Sequence, residues 1–170
     1  MRKLILNLAL SLDGFIEGPN GEYDWCFTDQ DYGLSDFLDG IDALLMGRKS
    51  YETLQASGTD PFSAKRKYIV SNKLALTNSS EMIIGGDFIT AIRRLKEEIG
   101  KDIWLFGGAQ LTDALLKEKL VDEFQIAIHP LLLGAGTRLF QKLDSRLSLE
   151  LADCKQYGSG LVQLFYRTKY

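Results

Sequence analysis

The chain has 170 residues, 45% apolar and 25% charged, which is ordinary for one soluble domain with a sizeable core. Its formal net charge of −3 argues against a general nucleic-acid or membrane-surface binder. No apolar run approaches the roughly 18 residues of a membrane helix, and Met1-Arg2-Lys3 leads directly into a strand-like segment. No span and no signal peptide are therefore expected, and the expected compartment is the cytoplasm. Cys26 and Cys154 fit no metal or redox spacing, and the single histidine, His129, excludes a histidine-rich metal site.

In chain order, 3–10 reads as a central strand because its apolar content is nearly continuous. Ser11-Leu12-Asp13-Gly14 opens a long loop through Gly18, Pro19, Asn20 and Gly21, closed by Trp25. A helix is expected over 29–40, with Phe37 and Leu38 on its apolar face and Gly40 as its stop. Residues 43–46 form the next buried strand, and Gly47 turns it into a short helix from Arg48 through Leu54. Strands are expected at 67–71 and 81–84. A helix over 88–99 follows, capped by Asp87, with Arg93, Arg94 and Lys96 on its solvated side. A strand at 102–106 passes through Gly107-Gly108 into a helix over 109–120. The strand at 123–128 continues into a loop containing Gly134-Ala135-Gly136. That triplet resembles half a dinucleotide fingerprint, but position 139 is Leu and no convincing helix follows. Finally, 149–155 and 161–168 pair as a hairpin across Gly158-Ser159-Gly160. The expected fold is a single three-layer α/β domain over 1–170, with a mostly parallel central sheet and an antiparallel C-terminal hairpin.

Two stretches carry chemistry. Gly47-Arg48-Lys49-Ser50 and Gly107-Gly108-Ala109-Gln110 both run from a strand into a helix, leaving orphan N–H groups at the helix start. In an open parallel sheet both lie at the carboxyl edge, where ligands bind, and two such ends suit a ligand with two or more phosphates. The bland alternative is a pair of tight turns with solvated cations. A P-loop is excluded, because position 42 is Asp and position 48 is Arg. Asp13 stands where a core strand empties into the loop; it either faces a ligand or closes an Asx-turn on its own backbone.

Ser11-Leu12-Asp13-Gly14-Phe15-Ile16, Met46-Gly47-Arg48-Lys49-Ser50-Tyr51-Glu52, Phe106-Gly107-Gly108, Leu120-Val121-Asp122-Glu123 and Pro130-Leu131-Leu132-Leu133-Gly134 together resemble the dihydrofolate reductase superfamily. More closely, they resemble the branch containing the reductase domain of riboflavin biosynthesis. The resemblance implies an NADPH-dependent reductase of a pteridine- or pyrimidine-like heterocycle, possessing no metal. It places Gly47, Arg48, Lys49 and Ser50 on the cofactor phosphates. Ser71, Asn72 and Lys73 fall near the adenine ribose phosphate. Gly107, Gly108, Ala109, Gln110 and Leu111 fall against the nicotinamide and pyrophosphate, with a cis Gly107–Gly108 peptide. Asp13 is the substrate-side acid it favours, with Trp25 and Asp31 also at the substrate and Asp29 a further candidate. It also implies a homodimer, using apolar Leu149, Leu151, Leu161, Leu164 and Phe165. The chain lacks the H-x-E and C-x-x-C motifs of the deaminase that accompanies the bifunctional riboflavin enzymes. A nucleotide-binding module of the same fold without efficient catalysis is the competing function.

Overall fold

Apolar runs flanked by glycine and polar turns become strands buried on both sides, and the computed structural model shows this over residues 1–74 and 81–170. The chain forms β1 (Leu4–Ser11), β2 (Phe15–Glu17), α1 (Leu34–Gly40), β3 (Ile41–Gly47) and α2 (Arg48–Ala56). Then come β4 (Arg66–Val70), β5 (Glu81–Ile84), α3 (Phe88–Glu97), β6 (Asp102–Gly107) and α4 (Ala109–Lys117). β7 (Glu123–His129), β8 (Thr137–Arg138), β9 (Ser148–Gln156) and β10 (Val162–Lys169) complete it. The main sheet has the order β5-β4-β3-β6-β1-β7-β10-β9. From β5 to β7 every pairing is parallel; β10 runs antiparallel to both β7 and β9. The expected three-layer fold with its terminal hairpin is the observed one.

Side chains alternate across the pleat and divide the core in two. Leu4, Leu6, Leu45 and Leu105 meet α3 and α4 through Ile92, Leu95, Leu111 and Leu115. Ile5, Leu44, Met46 and Trp104 meet α1 and α2 through Phe37, Tyr51 and Leu54. The helices thus cover both faces around β3 and β6. The outer strand β9 is exposed along its whole length, Leu151 to 55%. Leu161 is buried at the base of the hairpin, and Leu164 and Phe165 are half-buried.

Five features differ from the sequence expectation. Lys96, expected on the solvated side of its helix, is buried, its ammonium donating to the Leu120 carbonyl and the Asp122 carboxylate. The helix expected over 29–40 begins only at Leu34. Asp31 accepts the Ser35 N–H and hydroxyl, and Tyr32 and Gly33 hold positive φ, so the preceding residues form a turn. The helix expected to reach Leu120 stops at Lys117. Leu120 N–H reaches back to the Leu115 carbonyl and Lys119 N–H to Leu116, a Schellman end with Lys119 at φ +56° where glycine usually sits. The loop after Gly14 contains β2, which pairs with β8 as a separate two-stranded ribbon. The Gly107–Gly108 peptide is trans, contrary to the implied cis bond; positive φ at both residues, +129° and +98°, makes the turn instead.

Candidate functional site

A cleft of about 830 Å³ opens at the carboxyl edge of β3 and β6. Gly47, Arg48, Lys49 and Ser50 line it from the start of α2, and Gly108, Ala109, Gln110 and Leu111 from the start of α4. Ile16 and Glu17 of β2 and Thr137 of β8 line its other flank. The sheet order places β3 on one side of β6 and β1 on the other. The cleft therefore runs from the α2 end, past the α4 N-terminus, to the ribbon that follows β1.

Three helices start near this edge, and they are finished differently. Asp87 caps α3, its carboxylate accepting the Thr90 N–H at 3.1 Å. Neither α2 nor α4 has a side-chain cap; glycine occupies the position before each. Their first N–H groups, beside two cations, form a place for phosphate. A Cβ on Gly108 would stand 3.6 Å from the Ser50 hydroxyl oxygen, so the two turns approach closely. These donors fit a dinucleotide's phosphates. Arg48 is held on its own helix by Glu52, at 2.7 and 3.0 Å, a half-exposed pair that an incoming phosphate can open at small cost.

Ser71, Asn72 and Lys73 stand at the carboxyl end of β4, outside the residues that line the cleft. The Ser71 hydroxyl accepts the Lys73 and Leu74 N–H groups, and the Asn72 side-chain oxygen Oδ1 accepts that of Gly86. Gly107 ends β6 one residue short of the lining.

The sequence-derived acids have other work. Asp13 accepts the Ser11 hydroxyl at 2.7 Å and the Leu133 and Gly134 N–H groups at 3.1 and 2.8 Å. The Ser11 hydroxyl donation, reinforced by these backbone N–H groups, holds its carboxyl down to about 2. It lies outside the cleft lining and ties the β1 loop to the loop after β7. Asp31 serves Ser35, whose hydroxyl and N–H lower its carboxyl pKa, and Asp29 accepts the Tyr32 hydroxyl at 2.7 Å. Trp25 packs edge-on to His129 with ring centroids 5.2 Å apart, and its buried indole N–H has no partner among the described residues.

His129 is only 2% exposed. Phe27 N–H donates to its Nε2 at 3.1 Å, so Nδ1 carries the proton and meets the Ala127 carbonyl at 3.1 Å. Burial lowers its pKa. The lone histidine thus clamps the 23–27 loop to β7.

Glu17 was missed by sequence reasoning. It sits one residue past the Ser-Leu-Asp-Gly-Phe-Ile motif, in what reads as loop. Only the pairing of β2 with β8, 120 residues away, reveals it as a held position.

The sheet order, the hairpin and a cleft between two uncapped helix starts define a dihydrofolate-reductase-like protein. A family model described as the RibD C-terminal domain matches residues 2–163, and the chain belongs to that family. It is 40% identical over 177 residues to the uncharacterized protein YyaP of Bacillus subtilis (strain 168), covering 97% of this chain and 94% of the relative. The crystal structure of a putative riboflavin biosynthesis protein from Shewanella sp. PV-4 superposes with a TM-score of 0.88 at 28% identity, covering 99% of each chain. A dihydrofolate reductase from Enterococcus faecalis, complexed with NADP(H), shares the fold at a TM-score of 0.70 and 15% identity, covering 99% of this chain and 97% of that one.

Proposed function

We propose that this chain is an NADPH-dependent reductase of a pyrimidine- or pteridine-like heterocycle, of the kind represented by 5-amino-6-(5-phosphoribosylamino)uracil. The observation that carries this reading is the pair of uncapped helix starts, α2 and α4, opening with Arg48 and Lys49 onto one cleft. Arg48, Lys49 and Ser50 would hold the phosphates, and the backbone of Gly108–Leu111 would lie along the pyrophosphate and nicotinamide. A bound nicotinamide supplies hydride; the protein supplies position and electrostatics. Ile16, packed against the core, offers an apolar wall beside it.

A thermal-shift titration with NADPH and NADH tests the reading. Cofactor at a hundred times its dissociation constant stabilises a folded protein by about 2.7 kcal/mol, so a clear rise in melting temperature is expected with NADPH. No shift with either nucleotide would overturn it. The engaged carboxylates of Asp13, Asp29 and Asp31 favour the competing reading, a nucleotide-binding module without efficient catalysis. We further infer a homodimer that covers exposed β9, including Leu149 and Leu151; a monomer by light scattering at micromolar concentration would remove it.

A further inference from the structure

Four ionisable residues line the cleft among the described residues: Glu17, Arg48, Lys49 and Glu52. Glu52 is engaged by Arg48. The Glu17 backbone is held in the ribbon, but its carboxylate makes no hydrogen bond or ion pair to any described residue, so it is the cleft's one unpaired carboxylate among them. Its place is fixed from below. Phe15, two residues earlier, is buried beneath the Arg138 guanidinium, which lies 4.6 Å from its ring and also donates to the Asp13 carbonyl. Glu17 itself pairs with Thr137, and a Cβ on Gly136 would overlap the Glu17 carbonyl, so the two strands touch backbone to backbone there.

The charges are segregated along the cleft. Arg48 and Lys49 stand on the β3 side of β6; Glu17 stands on the β1 side, with the α4 N-terminus between them. A free carboxylate repels phosphate, so it belongs to the end that receives something else. Its natural partner is a neutral or cationic group rich in N–H donors, because leaving a cleft carboxylate without donors when a ligand displaces its water is costly.

We propose that Glu17 is the acid that meets the substrate, accepting hydrogen bonds from adjacent ring and exocyclic N–H groups of an amino-substituted pyrimidine or pteridine. The inference rests on the reductase reading above and moves the substrate-side acid from Asp13, Asp29 or Asp31 to the ribbon. Glu17 orients the heterocycle edge-on, so that the carbon to be reduced, which in a ribosylamino-uracil belongs to the sugar and not to the ring, lies along the Gly108–Leu111 backbone where the nicotinamide is expected. Specificity follows: a heterocycle presenting a carbonyl in place of the amine sets an acceptor against an acceptor and is rejected.

The test uses calorimetric binding of 5,6-diaminouracil, which offers a ring N–H beside an exocyclic amine, to the full chain saturated with NADPH. Wild type is compared with Glu17→Gln and Glu17→Ala, with melting temperature and NADPH affinity measured on each. Losing a charge-assisted hydrogen bond weakens binding by about ten- to a hundredfold, so Glu17→Ala should lose affinity for the pyrimidine by that factor. Glu17→Gln, which keeps one acceptor, should fall between. Both variants should keep the wild-type melting temperature and NADPH affinity, since the carboxylate holds no part of the fold together. Equal pyrimidine affinity in all three proteins would overturn the assignment, as would a matching fall in melting temperature and NADPH affinity, which would make the role structural. Wild type that binds NADPH but not 5,6-diaminouracil would overturn the ligand class while leaving the cofactor cleft standing. Wild type that binds neither would overturn the reductase reading and this inference with it.

Discussion

The two ends of the cleft are built on opposite principles. At the α2 end, local sequence does everything: a strand, a glycine, two cations and a helix start within a few residues of one another. At the ribbon end nothing is local, because β2 and β8 have three and two residues and exist only by pairing across 120 positions. The first end offers donors and positive charge; the second offers a carboxylate. A local anion site can be placed on many folds. The distant pairing binds the site to this fold and gives the cleft its direction.

That contrast breaks most sharply at Gly136. A Cβ there collides with the Glu17 carbonyl, and φ is +137°, a conformation that side chains rarely adopt. Backbone strain of this kind costs on the order of 1–3 kcal/mol before any clash is counted. Gly136→Ala should lower unfolding free energy in urea by at least that amount and abolish pyrimidine binding, while NADPH affinity stays within a few-fold of wild type. Loss of NADPH binding as well would show that the two ends are not separately built.

Arg48→Ala attacks the other end. Discrimination of NADPH from NADH requires a cation at the extra ribose phosphate, and a charge-assisted bond contributes about 1.5–3 kcal/mol. NADPH should weaken by about ten- to a hundredfold with NADH nearly unchanged. Equal losses would place Arg48 on the shared pyrophosphate.

Acid should separate the ends further. The folded protein binds a proton at His129 less readily than the unfolded chain, whose histidine titrates near 6.5. Stability from this site is therefore complete above that pH and declines as pH falls toward the depressed folded value, by about 1.4 kcal/mol for each unit of depression. The α2 end has no histidine, so the affinity per folded molecule for NADH, which lacks the ribose phosphate that itself titrates at about pH 6, should hold while the melting temperature drops. His129→Phe should start less stable, because the Phe27 N–H loses its acceptor, and should show a flatter profile between pH 5 and 7. An unchanged profile would remove the clamp.

Glu52→Gln should have the smallest effect. The Arg48–Glu52 pair is half-exposed and spaced i,i+4, and such pairs contribute about 0.3–0.5 kcal/mol. Freeing Arg48 should tighten NADPH by about twofold. A tenfold gain would mean that Glu52 repels the phosphate directly.

Legibility in the sequence follows the same division. The core strands read as apolar runs because parallel strands are buried on both sides, and Asp87 signalled the start of α3 by capping it. The glycine turns placed Arg48, Lys49, Ser50 and Gly108–Leu111 together on the cleft. The ends of α1 and α4 were misread where the signal was silent: Lys119 closes α4 in a conformation normally marked by glycine, and Asp31 spends its carboxylate on a turn. Asp13 drew attention by its place at a strand end, yet that place puts it beside the Leu133 and Gly134 N–H groups, which consume it. Glu17 carried no signal, since a three-residue strand has no period to detect.

The position of β1 also sets a schedule. Its neighbours are β6 and β7, so β1 is central to the sheet and cannot pair there until residues from Asp102 onward exist. At about 5–20 residues per second, the gap from Ser11 to Asp102 takes a ribosome roughly 5 to 20 s. β3 and β4, separated by one short helix, can begin pairing in the meantime. Leu4 and Leu6, fully buried at the end, spend that interval without strand partners, and the nascent chain is most exposed to aggregation there, before the cleft exists.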